Sequence, residues 1–182
     1  MTDSATLQDG SSHLYYGPGK GKTTAAVGLA LRAAGHGFSV SLLQFMKGHD
    51  EVGEEYGEIE LLRTHGIDVQ QFPTRHAASV DDLTADERQE LLSGVERARE
   101  TVSDPDIDLV VLDELTLLWE FDVVESEALL SVFEHRSSET ELVVTGRTAP
   151  AALVDVAEYV TYMAEIKHPY QQGTTARPGI EY

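Results

Sequence analysis

Residues 17–24 read Gly-Pro-Gly-Lys-Gly-Lys-Thr-Thr, with a short apolar run at 13–16 before them and an alanine-rich helical repeat at 22–37 after them. A strand that enters a glycine turn and leaves it as a helix cannot return by a hairpin. It commits the chain to a βα unit, and βα units bring successive strands into parallel alignment. The rest of the chain repeats the pattern. Apolar runs at 39–45, 66–72, 106–115, 140–147 and 159–168 read as strands, and 83–102, 125–136 and 149–160 as helices. Thr84 and Glu87 stand at capping-box spacing at the start of the longest helix. The expected fold is α/β, a mostly parallel sheet with helices on both faces. We expect a short tail at 1–12, one domain at 13–168 and a C-terminal tail at 169–182. The acidic segment 51–60 reads as a solvated face.

A glycine-rich turn at a helix N-terminus aims several backbone N–H groups at one point, where the helix dipole adds positive potential. Phosphate is the natural occupant. Gly17, Gly19 and Gly21 permit positive φ and close approach, Lys22 brings a cation, and Thr23 a hydroxyl suited to Mg²⁺. The usual phosphate loop has a glycine where this chain has Tyr16, so the loop is one residue short. Asp113 and Glu114 end the strongest apolar strand, where a P-loop domain carries its second acidic motif. One of the two can hold Mg²⁺ or its water, or, in a hydrolase, Glu114 can orient an attacking water. The motifs therefore point to a P-loop NTPase-like, RecA-like domain and leave the reaction open. Arg147, at the end of "VVTGR", is open to either a phosphate contact or a surface salt bridge. Trp119 and Phe121 are expected in the core, and the seven histidines show no paired metal-ligand spacing.

Charge narrows the partners. Thirty-two acidic residues against 13 basic ones give a net charge of −19, with no basic block, which disfavours a nucleic-acid partner. Such self-repulsion is tolerable where salt screens it, and the halophilic composition suits a salt-rich cytoplasm. The acidic N-terminus lacks a secretion signal's basic and apolar regions, and no stretch reaches the length of a membrane span; a cytoplasmic location is expected. The chain has no cysteine, so any metal must sit on oxygen or histidine. Its four lysines are Lys20, Lys22, Lys47 and Lys167, and on a surface so poor in lysine these are candidates for work that needs a cation.

The segments "YYGPGKGKTTAAVGLALRAAGHG", "LLQFMKG", "DLVVLDEL", "VVTGRTAPAALVDVAEYVTYM" and "KHPYQQGTTARPGIEY" together resemble the P-loop-type ATP:corrinoid adenosyltransferases, over most of the chain and in order. The resemblance implies transfer of the 5′-deoxyadenosyl group of ATP to Co(I) of a corrinoid, with release of triphosphate, in coenzyme B12 biosynthesis or salvage. In that family ATP lies reversed in the loop, its γ-phosphate deep and its C5′ toward the corrinoid. Carried over, Gly17, Gly19, Lys20, Gly21, Lys22, Thr23 and Thr24 hold the triphosphate, Thr23 and Glu114 hold Mg²⁺, and Arg147 contacts nucleotide or phosphate. The resemblance also implies a tail that closes the site, a homodimer and a cobalt-reducing flavoprotein partner. The chain departs from the family at 71–82, "QFPTRHAASVDD", where members carry a "GFTW"-like segment, and Phe72 is the only aromatic nearby. The asparagine usual after the acidic pair is replaced by Leu115 or Thr116. The rival readings are a RecA-like ATPase or nucleotide switch, and a corrinoid-binding protein without turnover.

Overall fold

The computed structural model describes residues 9–47, 56–72 and 83–181. Six strands, β1 (Ser12–Tyr16), β2 (Val40–Phe45), β3 (Asp68–Phe72), β4 (Leu109–Asp113), β5 (Glu141–Gly146) and β6 (Tyr159–Tyr162), form one sheet in the order β3-β2-β4-β5-β1-β6. Every pairing is parallel. Six helices accompany them: α1 (Lys22–Gly35), α2 (Gly57–Thr64), α3 (Ala85–Ser103), α4 (Leu117–Glu120), α5 (Ser126–Glu134) and α6 (Ala151–Val156).

Strand side chains alternate, so apolar residues on every position of a strand demand a cover on both faces. Val110 and Leu112 of β4, with Leu142 and Val144 of β5, pack among Leu91, Val95 and Ala98 of α3 and Leu129 of α5. Leu109, Val111 and Val143 point the other way, into a second core with Ala26 and Ala30 of α1 and Ile59 and Leu62 of α2. The capping box of α3 is formed: the Glu87 amide donates to Thr84 Oγ1 at 3.2 Å, and the Thr84 amide to Glu87 Oε2 at 2.9 Å. Trp119 and Phe121 are partly buried against the first core.

Several elements differ from the sequence expectation. Residues 57–60 of the acidic segment open α2, with Ile59 fully buried, while Glu58, half-buried, and Glu60, exposed, sit in the first turn where the helix dipole favours them. Residues 51–55 of that acidic segment lie outside the described residues. The strand expected at 106–115 is only Leu109–Asp113, because Asp104–Ile107 forms a turn and Glu114 takes φ 60. The last helix and strand are also shorter. After Val156 the chain is drawn onto β1, where the Glu158 amide donates to Ser12 O at 3.1 Å and Ser12 Oγ donates back to Glu158 Oε2 at 2.6 Å. At the other end β6 stops at Tyr162, and Met163 crosses to the glycine loop. Among the described residues no helix is long and apolar enough to cross a membrane.

Candidate active site

The loop from β1 to α1 is held from behind by backbone. The Gly17 amide donates to Arg147 O at 3.0 Å, the Gly19 amide to Met163 O at 2.8 Å, and the Met163 amide to Tyr16 O at 2.7 Å. Both glycines are required by this approach: a Cβ on Gly17, whose φ is 123, would stand 2.5 Å from Met163 O, and one on Gly19 would stand 2.7 Å from it. Lys22, the first residue of α1 and only 8% exposed, turns its ammonium back into the loop and donates to Gly17 O at 2.7 Å and Gly19 O at 2.9 Å. The Ala25 amide reaches Gly21 O at 2.8 Å, so the amides of Lys22, Thr23 and Thr24 precede the first helical hydrogen bond and stand at the positive end of the α1 dipole.

The strand order sets what faces this helix end. With β5 between β1 and β4, the tips of β2, β4 and β5 converge on Thr23. Asp113, fully buried at the end of β4, accepts from Thr23 Oγ1 at 2.9 Å, Gln44 Nε2 at 3.0 Å, Lys47 Nζ at 2.8 Å and Thr145 Oγ1 at 2.7 Å. Lys47 also donates to Thr23 Oγ1 at 2.8 Å, and Gln71 Nε2 to Gln44 Oε1 at 2.9 Å. Burial by itself would raise the Asp113 pKa. The Lys47 charge and the hydrogen bonds from Lys47, Gln44 and Thr145 outweigh it and hold the carboxyl below its usual range.

Glu114 has the opposite environment. Its amide donates to Thr145 Oγ1 at 2.8 Å, its φ of 60 swings the side chain away from the strand direction, and its Oε2 is buried with no hydrogen-bond partner among the described residues. Burial, then the neighbouring Asp113 charge, raise its pKa against the pull of Lys47, Lys22 and Arg147. A buried carboxylate oxygen without a partner among the described residues, lining the same cavity as the Thr23 hydroxyl, offers oxygen ligands that suit Mg²⁺, a hard cation.

These groups border a cavity of about 470 Å³ whose walls include Lys20, Lys22, Thr23, Lys47 and Glu114. Gly21 and Thr24 also border it, as do Val27, Tyr56 and the start of α2. Gly179, Ile180 and Glu181 also line it, and Lys20 Nζ donates to Ile180 O at 2.6 Å. Of the residues expected from sequence, Lys20, Gly21, Lys22, Thr23, Thr24 and Glu114 meet around the cavity, whereas Gly17 and Gly19 stand behind it with their amides engaged by backbone. Arg147 is exposed at the end of β5, and its charge reaches both Glu114 and Lys22. Lys167 is exposed and does not border the cavity. Sequence reading missed Gln44 and Thr145. Their signal was a polar residue directly after an apolar run inside each of two strands, Gln44 in "LLQF" and Thr145 in "LVVTG".

Phe72 stacks on Phe45 with ring centroids 5.2 Å apart and packs against Gly94 of α3. It is therefore a core contact. The remainder of the segment that departs from the family pattern, 73–82, lies outside the described residues. Thr116 donates to Thr148 O at 2.5 Å, tying the residue after the acidic pair to the turn that follows β5.

A parallel sheet with a glycine loop between its β1 strand and α1, and an acidic pair two strands away, defines a P-loop NTPase-like α/β protein. The family model for ATP:corrinoid adenosyltransferase BtuR/CobO/CobP matches residues 8–182. Corrinoid adenosyltransferase CobA of Salmonella typhimurium is 34% identical over 169 residues, 93% of this chain and 84% of its own length. The corrinoid adenosyltransferase of a Sinorhizobium species is 34% identical over 170 residues, 91% of this chain and 77% of its own. That of Pseudomonas aeruginosa is 32% identical over 177 residues, 93% and 82% respectively. The chain belongs to the ATP:corrinoid adenosyltransferase family, a family of transferases.

Proposed function

We propose that the protein moves the 5′-deoxyadenosyl group of ATP onto Co(I) of a corrinoid. The observation that carries this reading is the cavity itself. Three lysines, a helix N-terminus and a carboxylate with one buried oxygen face one space, which residues of the C-terminal segment, included in the family match, also line. Cobalt(I) attacks C5′, the C5′–O bond breaks, and its electron pair leaves with triphosphate. The nucleophile needs no deprotonation, so the protein's task is to position C5′ and to stabilise the polyphosphate.

In this reading Gly21, Lys22, Thr23 and Thr24 hold triphosphate with their amides, and Lys20 and Lys22 with their ammonium groups. Gly17 and Gly19 shape the loop that bears them, and Arg147 meets nucleotide or phosphate from the rim. Thr23 and Glu114 would hold Mg²⁺, which would supply positive charge against the departing triphosphate. Asp113, with four donors already on it, orients Thr23. The segment 169–182 acts as the closing tail, with Ile180 O on Lys20 as its latch. A cytoplasmic homodimer served by a cobalt-reducing flavoprotein completes the reading.

The test is anaerobic incubation with Mg-ATP and chemically reduced corrinoid in high KCl. We expect the cobalt–carbon spectrum to appear together with triphosphate. Steady release of orthophosphate without corrinoid, and no alkylated product with it, would replace this reading by that of an ATPase.

A further inference from the structure

We propose that Lys47 is a built-in counter-cation that holds the metal position of the nucleotide-free protein and is displaced from it when a divalent cation enters. The inference rests on the reading of the cavity as a Mg-polyphosphate site. Its geometry is specific. The Lys47 ammonium lies 2.8 Å from Thr23 Oγ1 and 2.8 Å from Asp113 Oδ2, bridging the loop hydroxyl and the strand-end carboxylate. The hydroxyl is the oxygen that the reading above gives to Mg²⁺, and the carboxylate is the one that orients it. Thr23 gives its own proton to Asp113 Oδ1 at 2.9 Å, so its lone pairs face the cation, and the ammonium now occupies one of them.

Two cations cannot share that oxygen. An ammonium and a divalent ion on one hydroxyl would stand within a few ångströms of each other in a largely desolvated corner, where their repulsion is screened weakly. One must leave, and the lysine can. Its side chain is 23% exposed and already borders the cavity beside Lys20 and Lys22, so a rotation about its flexible stem carries the ammonium from Asp113 into the space assigned to polyphosphate. Asp113 keeps three donors, from Thr23, Gln44 and Thr145, after it goes. Metal entry and the arrival of a third cation at the phosphates are then one event. A site without metal keeps its carboxylate neutralised, and a site with metal gains a cation aimed at the leaving group.

Lys47→Gln tests this, because glutamine retains an N–H for Asp113 and lacks the charge that competes with metal. The probe is Mn²⁺ alone, followed by electron paramagnetic resonance at mildly alkaline pH without nucleotide. We expect the variant to bind Mn²⁺ at least about tenfold more tightly than wild type, the factor that one lost charge-assisted contact represents. The second measurement uses unaltered protein. The four lysines are labelled with acetic anhydride and read by mass spectrometry. Lys47 should react slowly without metal, faster with Mg²⁺ alone, and slowly again with Mg²⁺ and inorganic triphosphate. Equal Mn²⁺ affinity in the two proteins, or Lys47 reactivity indifferent to Mg²⁺, overturns the inference. Calorimetry of Mg-triphosphate with wild type separates the two levels: binding there with either negative result sinks the Lys47 role alone, whereas no binding sinks the reading of the cavity.

Discussion

Asp113 and Glu114 are adjacent in sequence and their pKa values are shifted in opposite directions, and the difference is a matter of donors. Asp113 ends an extended strand and meets four of them; Glu114, turned aside by a φ of 60, keeps one buried oxygen without any among the described residues. Because the Glu114 pKa is raised in the folded protein, the native state holds a proton that the unfolded chain has released, over the window from the ordinary glutamate range up to the raised value. Stability without metal therefore falls as pH rises through that window. Glu114→Gln should remove that slope and raise the melting temperature of the metal-free protein at neutral pH, while weakening Mg-dependent transfer. Thermal melts in chelator across that range check it, and a slope unchanged by the substitution would refute it. Lys22→Ala removes the cation buried in the loop and should cost about 1.5–3 kcal/mol of triphosphate affinity, roughly ten- to a hundredfold, by titration calorimetry.

At the scale of elements, the end of β6 acts as a backstop for the glycine loop, since Met163 donates to β1 and accepts from Gly19. Gly17→Ala puts a methyl 2.5 Å from Met163 O at a φ that side chains rarely adopt. We expect a loss of about 1–3 kcal/mol in stability, together with weaker triphosphate binding, because the loop can relieve the clash only by leaving its support. Wild-type values for both would show that the backstop does not matter. The α3 helix is seated on β2 and β3 through Gly94, which leaves room for the Phe45 and Phe72 rings. Phe72→Ala should cost roughly 2–3 kcal/mol in chemical denaturation, below the ~3–5 typical of a fully buried ring, because Phe72 is only partly buried. Corrinoid affinity of the folded variant should be unchanged. A drop in affinity without a loss of stability would give the ring a ligand-facing role instead.

The whole molecule carries a charge of −19, and nearly all of its lysines are gathered at one cavity. The acidic surface repels itself over distances that salt can screen, whereas the partly buried Lys47–Asp113 pair is screened less. Raising KCl from about 0.01 to 1 M contracts the Debye length from ~30 Å to ~3 Å. The melting temperature should climb steeply over that range. A melting temperature indifferent to KCl would mean that the acidic surface needs no screening.

Short-range signals were legible in the chain: the glycine loop between strand and helix, the capping box at Thr84, the doubly apolar strands, and the acidic pair that ends one of them. Each depends on residues a few positions apart, where backbone geometry alone sets the pattern. The short α4 was not legible, and α2 was hidden because two buried positions, Ile59 and Leu62, gave too little periodicity beneath the acidic residues. The neighbours of Asp113 come from positions 23, 44, 47 and 145. A strand's period of two tells which face a residue takes, and says nothing about which strand lies beside it. Sequence by itself determined that a glycine loop between strand and helix and an acidic strand end exist in this protein. Only the tertiary structure, by setting β5 between them, decided that Lys47, Gln44 and Thr145 would donate to one carboxylate and that one oxygen of the other would have no hydrogen-bond partner among the described residues.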